Sequence, residues 1–192
     1  DDADATHAAF QRAGIGAAAP LEFSRPVELP AGARDARFRI VQLPADQTPG
    51  CRTFVCQHFT RDVVWRPEYQ SHALGATGLA ALAVVVEDPE TTAPAYARLF
   101  GGTPRHIDEG LLVETGGAPI ALATRWKLGH RLHGVELPAR PRPLVAALFI
   151  RVADRGRAAQ TLRKGGFAPV ALADGSFAVG AGQAHGVTLV FG

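Results

Sequence analysis

Three stretches of this sequence repeat one helical pattern, and the repeat constrains the architecture more than any other feature. Asp2 is followed by Thr6, Ala9, Phe10, Ala13 and Gly14. Asp88 is followed by Ala93, Tyr96, Ala97, Phe100 and Gly101, and Asp154 by Ala158, Thr161, Leu162, Gly165 and Gly166. The i, i+3, i+4, i+7 spacing predicts three short amphipathic helices, each opened by a carboxylate that accepts from free amides and ended near a glycine. Only the middle copy adds a proline, Pro89, at a first-turn position where proline is tolerated.

Each helix is followed by three strand candidates. After the first come 21–29, 36–43 and 52–59, with turns at 30–32 and 44–50. The second helix is preceded by the apolar run 78–86 and followed by 103–107, 111–115 and 120–126. The third repeats that order, with 144–152 ahead of a helix reaching Lys164, then 168–173, 177–180 and 187–191. The predicted class is α+β, made of repeated βαβββ units that pair into curved mixed sheets. Residues 1–60 read as a unit without its opening strand, and 76–192 as two complete units, 76–127 and 143–192, forming one paired domain. The connectors 61–77 and 127–143 lack Gly/Ser tether composition and read as ordered loops, the second a solvated basic one.

Composition removes several functions. A net charge of +2 with no block of like charge is no footprint for nucleic acid. The apolar runs are far short of the ~20 residues of a membrane-spanning helix. The sequence has no methionine and opens Asp-Asp, so further residues, including the missing opening strand, are expected before Asp1. Cys51 and Cys56 fall within one predicted strand, about 16 Å apart at ~3.3 Å per residue, and are expected as free thiols. Unpaired thiols fit a reducing compartment, so a cytoplasmic location is expected. Walker-type phosphate loops, Gly-x-Gly-x-x-Gly, Gly-x-Ser-x-Gly and His-Glu-x-x-His are all absent.

The repeated βαβββ unit, the segment Cys56-Gln57-His58-Phe59-Thr60 running on to Val64-Trp65-Arg66-Pro67-Glu68, and Arg25-Pro26-Val27-Glu28-Leu29-Pro30 resemble the glyoxalase-like branch of the vicinal oxygen chelate superfamily. The resemblance implies a β-cup that binds a small organic molecule. It also implies His or Glu ligands on the first and last strands of paired units, holding a divalent metal (Zn, Ni, Mn or Fe) for lyase or isomerase chemistry. The strands of the second and third units carry no such ligand, so their cup reads as metal-free.

In the first unit Phe54, Cys56 and His58 alternate onto one strand face, making His58 the candidate metal ligand, with any others expected upstream. A hydrogen-bonded structural histidine is the alternative, and Cys56 also fits a small core residue. Cys56 is a candidate ligand-binding residue, as are Trp65 and Arg66 at the cup mouth, an indole beside a carboxylate-binding guanidinium. Their other reading is a core plug and an ion pair with Glu68 or Asp62. His130 and His133 are expected in the basic connector, and His72, His106 and His185 at exposed positions. No catalytic residue is singled out. The functional expectation is a glyoxalase-like small-molecule binder acting as a metal-assisted lyase or isomerase, with non-catalytic sequestration as the alternative and an extradiol dioxygenase third. A small molecule is the expected partner, and a homodimer is compatible with the sequence.

Overall fold

The computed structural model describes residues 2–192, which fall into two compact units. The N-terminal unit comprises the chain up to Thr48 together with Arg52–Ser71; the C-terminal unit comprises Pro49–Cys51 and His72–Gly192.

In the N-terminal unit, helix α1 (Ala3–Arg12) starts where the Asp2 side chain accepts from the amides of Asp4 and Ala5. Three antiparallel strands follow, β1 (Leu21–Val27), β2 (Arg34–Gln42) and β3 (Phe54–His58), in that spatial order. Strand alternation divides their side chains. One face presents Val41 to Ala3 and Phe10 of the helix side, with Arg39 ion-paired to Asp4. On the other face Leu21 aligns with Ile40 and Cys56, and Phe23 with Phe38 and His58. A one-turn helix α2 (Arg61–Val64) places Val63, fully buried, against Ala36 and Phe38.

The C-terminal unit is one eight-stranded sheet ordered β5-β6-β7-β4-β8-β11-β10-β9. Its first half runs β4 (Ala76–Val85), α3 (Pro89–Phe100), β5 (Arg105–Ile107), β6 (Gly110–Val113) and β7 (Ile120–Ala123). The second half repeats it with β8 (Leu144–Val152), α5 (Arg155–Lys164), β9 (Val170–Ala171), β10 (Phe177–Val179) and β11 (Thr188–Phe191). In each half the first and last strands lie side by side in parallel, and β4 joins β8 in antiparallel. The expected α+β class with βαβββ repeats and mixed sheets is borne out. Asp88 and Asp154 cap α3 and α5 as the helical repeat requires. Gly110 is needed at its site because its φ of 153° and its close approach to the Leu122 carbonyl leave no room for a Cβ.

Two expectations are corrected. The 127–143 connector is not a solvated loop: strand β7 stops at Ala123, Thr124 caps helix α4 (Arg125–Arg131), and Leu128 and Leu132 are buried. They sit with Val135 and Leu137 over the sheet face carrying Ala83, Ala121, Ala123, Ala146 and Ala178. The alanines leave the depth that the leucines fill, and burying each leucine contributes roughly 1.5–3 kcal/mol. The apolar spacing of Leu128 and Leu132 outweighs the helix weakness introduced by Gly129. Cys51, moreover, does not share a strand with Cys56. Gly50, at φ 90°, turns the chain before β3 begins, and Cys51 packs beside Val84 and Tyr96. The Tyr96 hydroxyl donates to the Pro49 carbonyl at 2.7 Å. Neither cysteine forms a disulfide.

Candidate ligand-binding face

The face of the N-terminal sheet away from α1 gathers the sequence's best candidates. His58 lies edge-on to Phe38 (ring centroids 5.0 Å) and 6.2 Å from Trp65, while Phe23 stacks on Phe38 at 5.3 Å. The Arg25 guanidinium lies 5.3 Å from the Phe38 ring centroid, and that of Arg61 4.7 Å from Trp65. Cation–aromatic contacts of this kind contribute about 0.5–1 kcal/mol where exposed. His58 Nδ1 is buried without a hydrogen-bond partner. An unmet ring nitrogen costs roughly 1–3 kcal/mol, so in a native fold it calls for an explanation. Phe54 (50% exposed) and Trp65 (51%) leave the rest of the face open to solvent.

Each sequence candidate can be placed. Phe54, Cys56 and His58 share this face through the β2–β3 register. Burial, partly countered by Arg25, raises the Cys56 thiol above its ordinary range, which keeps it protonated and a poor nucleophile. Trp65 is not a core plug; Val63 fills that role and the indole borders the face. Arg66 is ion-paired with Glu68, as its second reading anticipated, and reaches over Tyr69. Glu68 is held below the usual carboxylate range by a backbone hydrogen bond and by Arg66. Phe23, Arg25 and Phe38 went unnoticed as site residues, although the alternation Leu21-Phe23-Arg25 is the signal that finds them.

The donors on this face do not make a metal site. His58 and Cys56 stand two residues apart on one strand with no carboxylate gathered beside them, and among the described residues no group of three or more His, Cys, Asp or Glu is placed to hold an ion. Tetrahedral or octahedral binding requires more donors than these.

The other histidines are dispersed. His130 stacks on Trp126, which is 77% exposed. His106 lies 3.7 Å from Glu90, and His72 accepts from the Leu74 amide. Two of the concavities in the C-terminal unit differ in character. One, about 610 Å³, is lined by charges that satisfy one another: Arg131 with Glu109 at 2.5 Å, and Asp174, held below its usual range by hydrogen bonds from Ser176. The second, about 450 Å³, is mostly apolar and lies between α5 and the sheet, with His72 and His185 at its rim.

The model of the glyoxalase-like domain family matches residues 1–100, just over half of the chain, and that stretch contains the whole His58 face. The protein belongs to the glyoxalase-like domain family. Among solved structures, a hypothetical protein from Staphylococcus aureus matches at a TM-score of 0.60 and 9% identity over 98% of this chain, which spans 61% of that one. This likeness speaks to the fold alone. Methylmalonyl-CoA epimerase from Mycobacterium tuberculosis also matches, at a TM-score of 0.43 and 19% identity, covering 61% of this chain and 87% of that one. No curated protein matches. No helix among the described residues is long and apolar enough to cross a membrane.

Proposed function

We propose that the protein binds a small, flat organic molecule bearing a carboxylate or enolate oxygen on the face formed by Phe23, Phe38, Cys56, His58 and Trp65. The observation that carries this reading is the buried, partnerless Nδ1 of His58 in an aromatic setting. Phe23 and Trp65, both exposed, supply flat apolar area over the buried Phe38 ring, and such contacts contribute about 0.5–1.5 kcal/mol beyond burial. Once the side chains covering Nδ1 move aside, a ligand oxygen can accept from its N–H and remove the standing cost of the unmet nitrogen, and Arg25 at the border suits an anionic end. Family membership is compatible with lyase or isomerase activity, but the donors on this face supply no route to it, so the proposal is binding without turnover.

Titration with benzoate, with benzyl alcohol as the uncharged control, tests it. Chemical-shift changes at the His58 ring and the Trp65 indole with benzoate, reduced at least about tenfold in affinity by His58→Phe, are expected. Shifts confined to other residues, or equal binding of the two probes by both proteins, would sink the proposal. A dicarbonyl–thiol adduct consumed by the protein, with loss of that turnover in His58→Ala, would favour the enzymatic reading instead.

A further inference from the structure

The two repeats of the C-terminal unit pack their helices on the sheet differently, and the difference leaves a cavity. Eight residues after its cap α3 carries Tyr96, fully buried, and twelve after it comes Phe100; both pack with Val84, Val86 and Leu122. At the same distances from Asp154, the α5 side has Leu162 and Gly166. Pro49–Cys51 completes the α3 side, where the Tyr96 hydroxyl donates to the Pro49 carbonyl. On the α5 side the flanking residues 72–74 instead border the cavity of about 450 Å³ beside Leu162. Space that a tyrosine and a phenylalanine fill in one repeat is open in the other.

The walls of this cavity are mainly aliphatic, with Leu74, Leu162, Val179, Ala184 and Leu189, and among the described residues no charged side chain lines it. Two of its polar side chains are engaged within the chain. The Thr161 hydroxyl donates to the Arg157 carbonyl, and the Gln183 side-chain oxygen accepts from the Ala168 amide. Carbonyls at the end of α5 are engaged as well, that of Thr161 by the Gly165 amide and that of Leu162 by the Phe167 amide. The two rim imidazoles differ. The Leu74 amide donates to Nδ1 of the exposed His72 at 3.2 Å, which in the neutral ring leaves the proton on Nε2 as a donor. His185, also exposed, stands in a left-handed turn at φ 53°, a conformation in which histidine is among the few enriched side chains. Aliphatic walls, a donor at the rim and no lining carboxylate are complementary to an alkyl chain with an anionic head.

We propose that this cavity binds the alkyl chain of a medium-chain monocarboxylate, with a carboxylate oxygen accepting from the Nε2–H of His72 and with His185 beside it. Its volume and its apolar lining with a few placed polar groups are those of a small-molecule site, which typically measures about 300–1,000 Å³. The site lies on the helix-covered side of the sheet, opposite the face that Leu128 and Leu132 close. It is built from residues of the C-terminal unit and does not rest on the ligand proposed above for the His58 face.

Titration of the full chain with octanoate, with 1-octanol as the uncharged control, tests the site. Octanoate should shift the resonances of the His72 ring and of the Leu162 and Leu189 methyls and raise the unfolding midpoint. Leu162→Phe, which refills the space as the other repeat does, should weaken octanoate binding at least about tenfold. Ala73→Phe should do the same from an exposed position bordering the cavity, where folding is not at stake. Replacing both imidazoles, His72→Ala with His185→Ala, should weaken octanoate about tenfold and leave 1-octanol unchanged. Octanoate shifts that miss the cavity residues, equal affinity for the two probes, or undiminished octanoate binding by the filled variants or by the double histidine variant overturns the proposal. None of these readouts uses benzoate or a residue of the His58 face, so the two ideas fall separately.

Discussion

In the C-terminal unit the sheet face turned from α3 and α5 carries alanines and is closed by Leu128 and Leu132. In the N-terminal unit the face turned from α1 buries Phe38 under Val63, Val64 and Leu29 but leaves Phe23 and Phe54 exposed. The contrast separates two uses of one surface. Small strand residues beneath leucines from a connector make a packed core. Large aromatic residues beside unpaired polar atoms make a surface that solvent or a ligand must finish.

The sharpest way to break this comparison is to empty the closed face. Leu128→Ala and Leu132→Ala should each cost about 2–5 kcal/mol in urea unfolding, since both sites are 1% exposed. A combined loss under about 1 kcal/mol would show that the connector is no part of the core. Overfilling the same face is the next largest effect: Ala121→Leu should lower stability by about 1–3 kcal/mol by forcing α4 outward. Phe23→Ala in the open face should change stability by less than about 1 kcal/mol, because Phe23 is 40% exposed. Benzoate titration of that variant should nevertheless show weakened binding, and a stability loss like that of Leu128→Ala would make the open face a core after all. His58→Phe should be the mildest of the five in unfolding, neutral or slightly stabilising, since it removes a buried nitrogen that has no partner.

A pH measurement extends the comparison to the thiols. Burial raises the Cys51 thiol above its ordinary 9.0, with Tyr96 opposing weakly. The unfolded chain therefore loses this proton first, so stability is full below pH 9 and falls as pH rises beyond it. Tyr96, also raised by burial from 10.0, adds a second decline at higher pH. Unfolding followed from pH 7 to 11 should show both phases, with Cys51→Ala removing the earlier one.

Much of the architecture was legible because Asp caps and helical spacing act locally. Asp2, Asp88 and Asp154 all cap as their positions require. The alternation of Phe54, Cys56 and His58 likewise placed them on one face, since a strand leaves no other choice. What eluded the sequence was non-local. Leu128 and Leu132 sit among Arg, His and Gly, and only the alanines on distant strands show why they turn inward. Phe23 and Phe38 meet His58 through cross-strand register, which no single segment encodes. Cys51 was misplaced because Gly50 redirects the chain at a left-handed turn invisible in a hydropathy pattern.

The tripeptide Pro49–Cys51 has a consequence for how such a protein can be rearranged in evolution. Three residues drawn from within the first repeat complete the packing around Tyr96, and Tyr96 holds them by the Pro49 carbonyl. The boundary between the units therefore cannot be drawn at one point along the chain. A recombination break near residue 72 would give the downstream piece all its strands and helices but a hole beside Val84 and Tyr96. A copy of the second and third repeats taken without that short insert would carry the fold but not its complete packing.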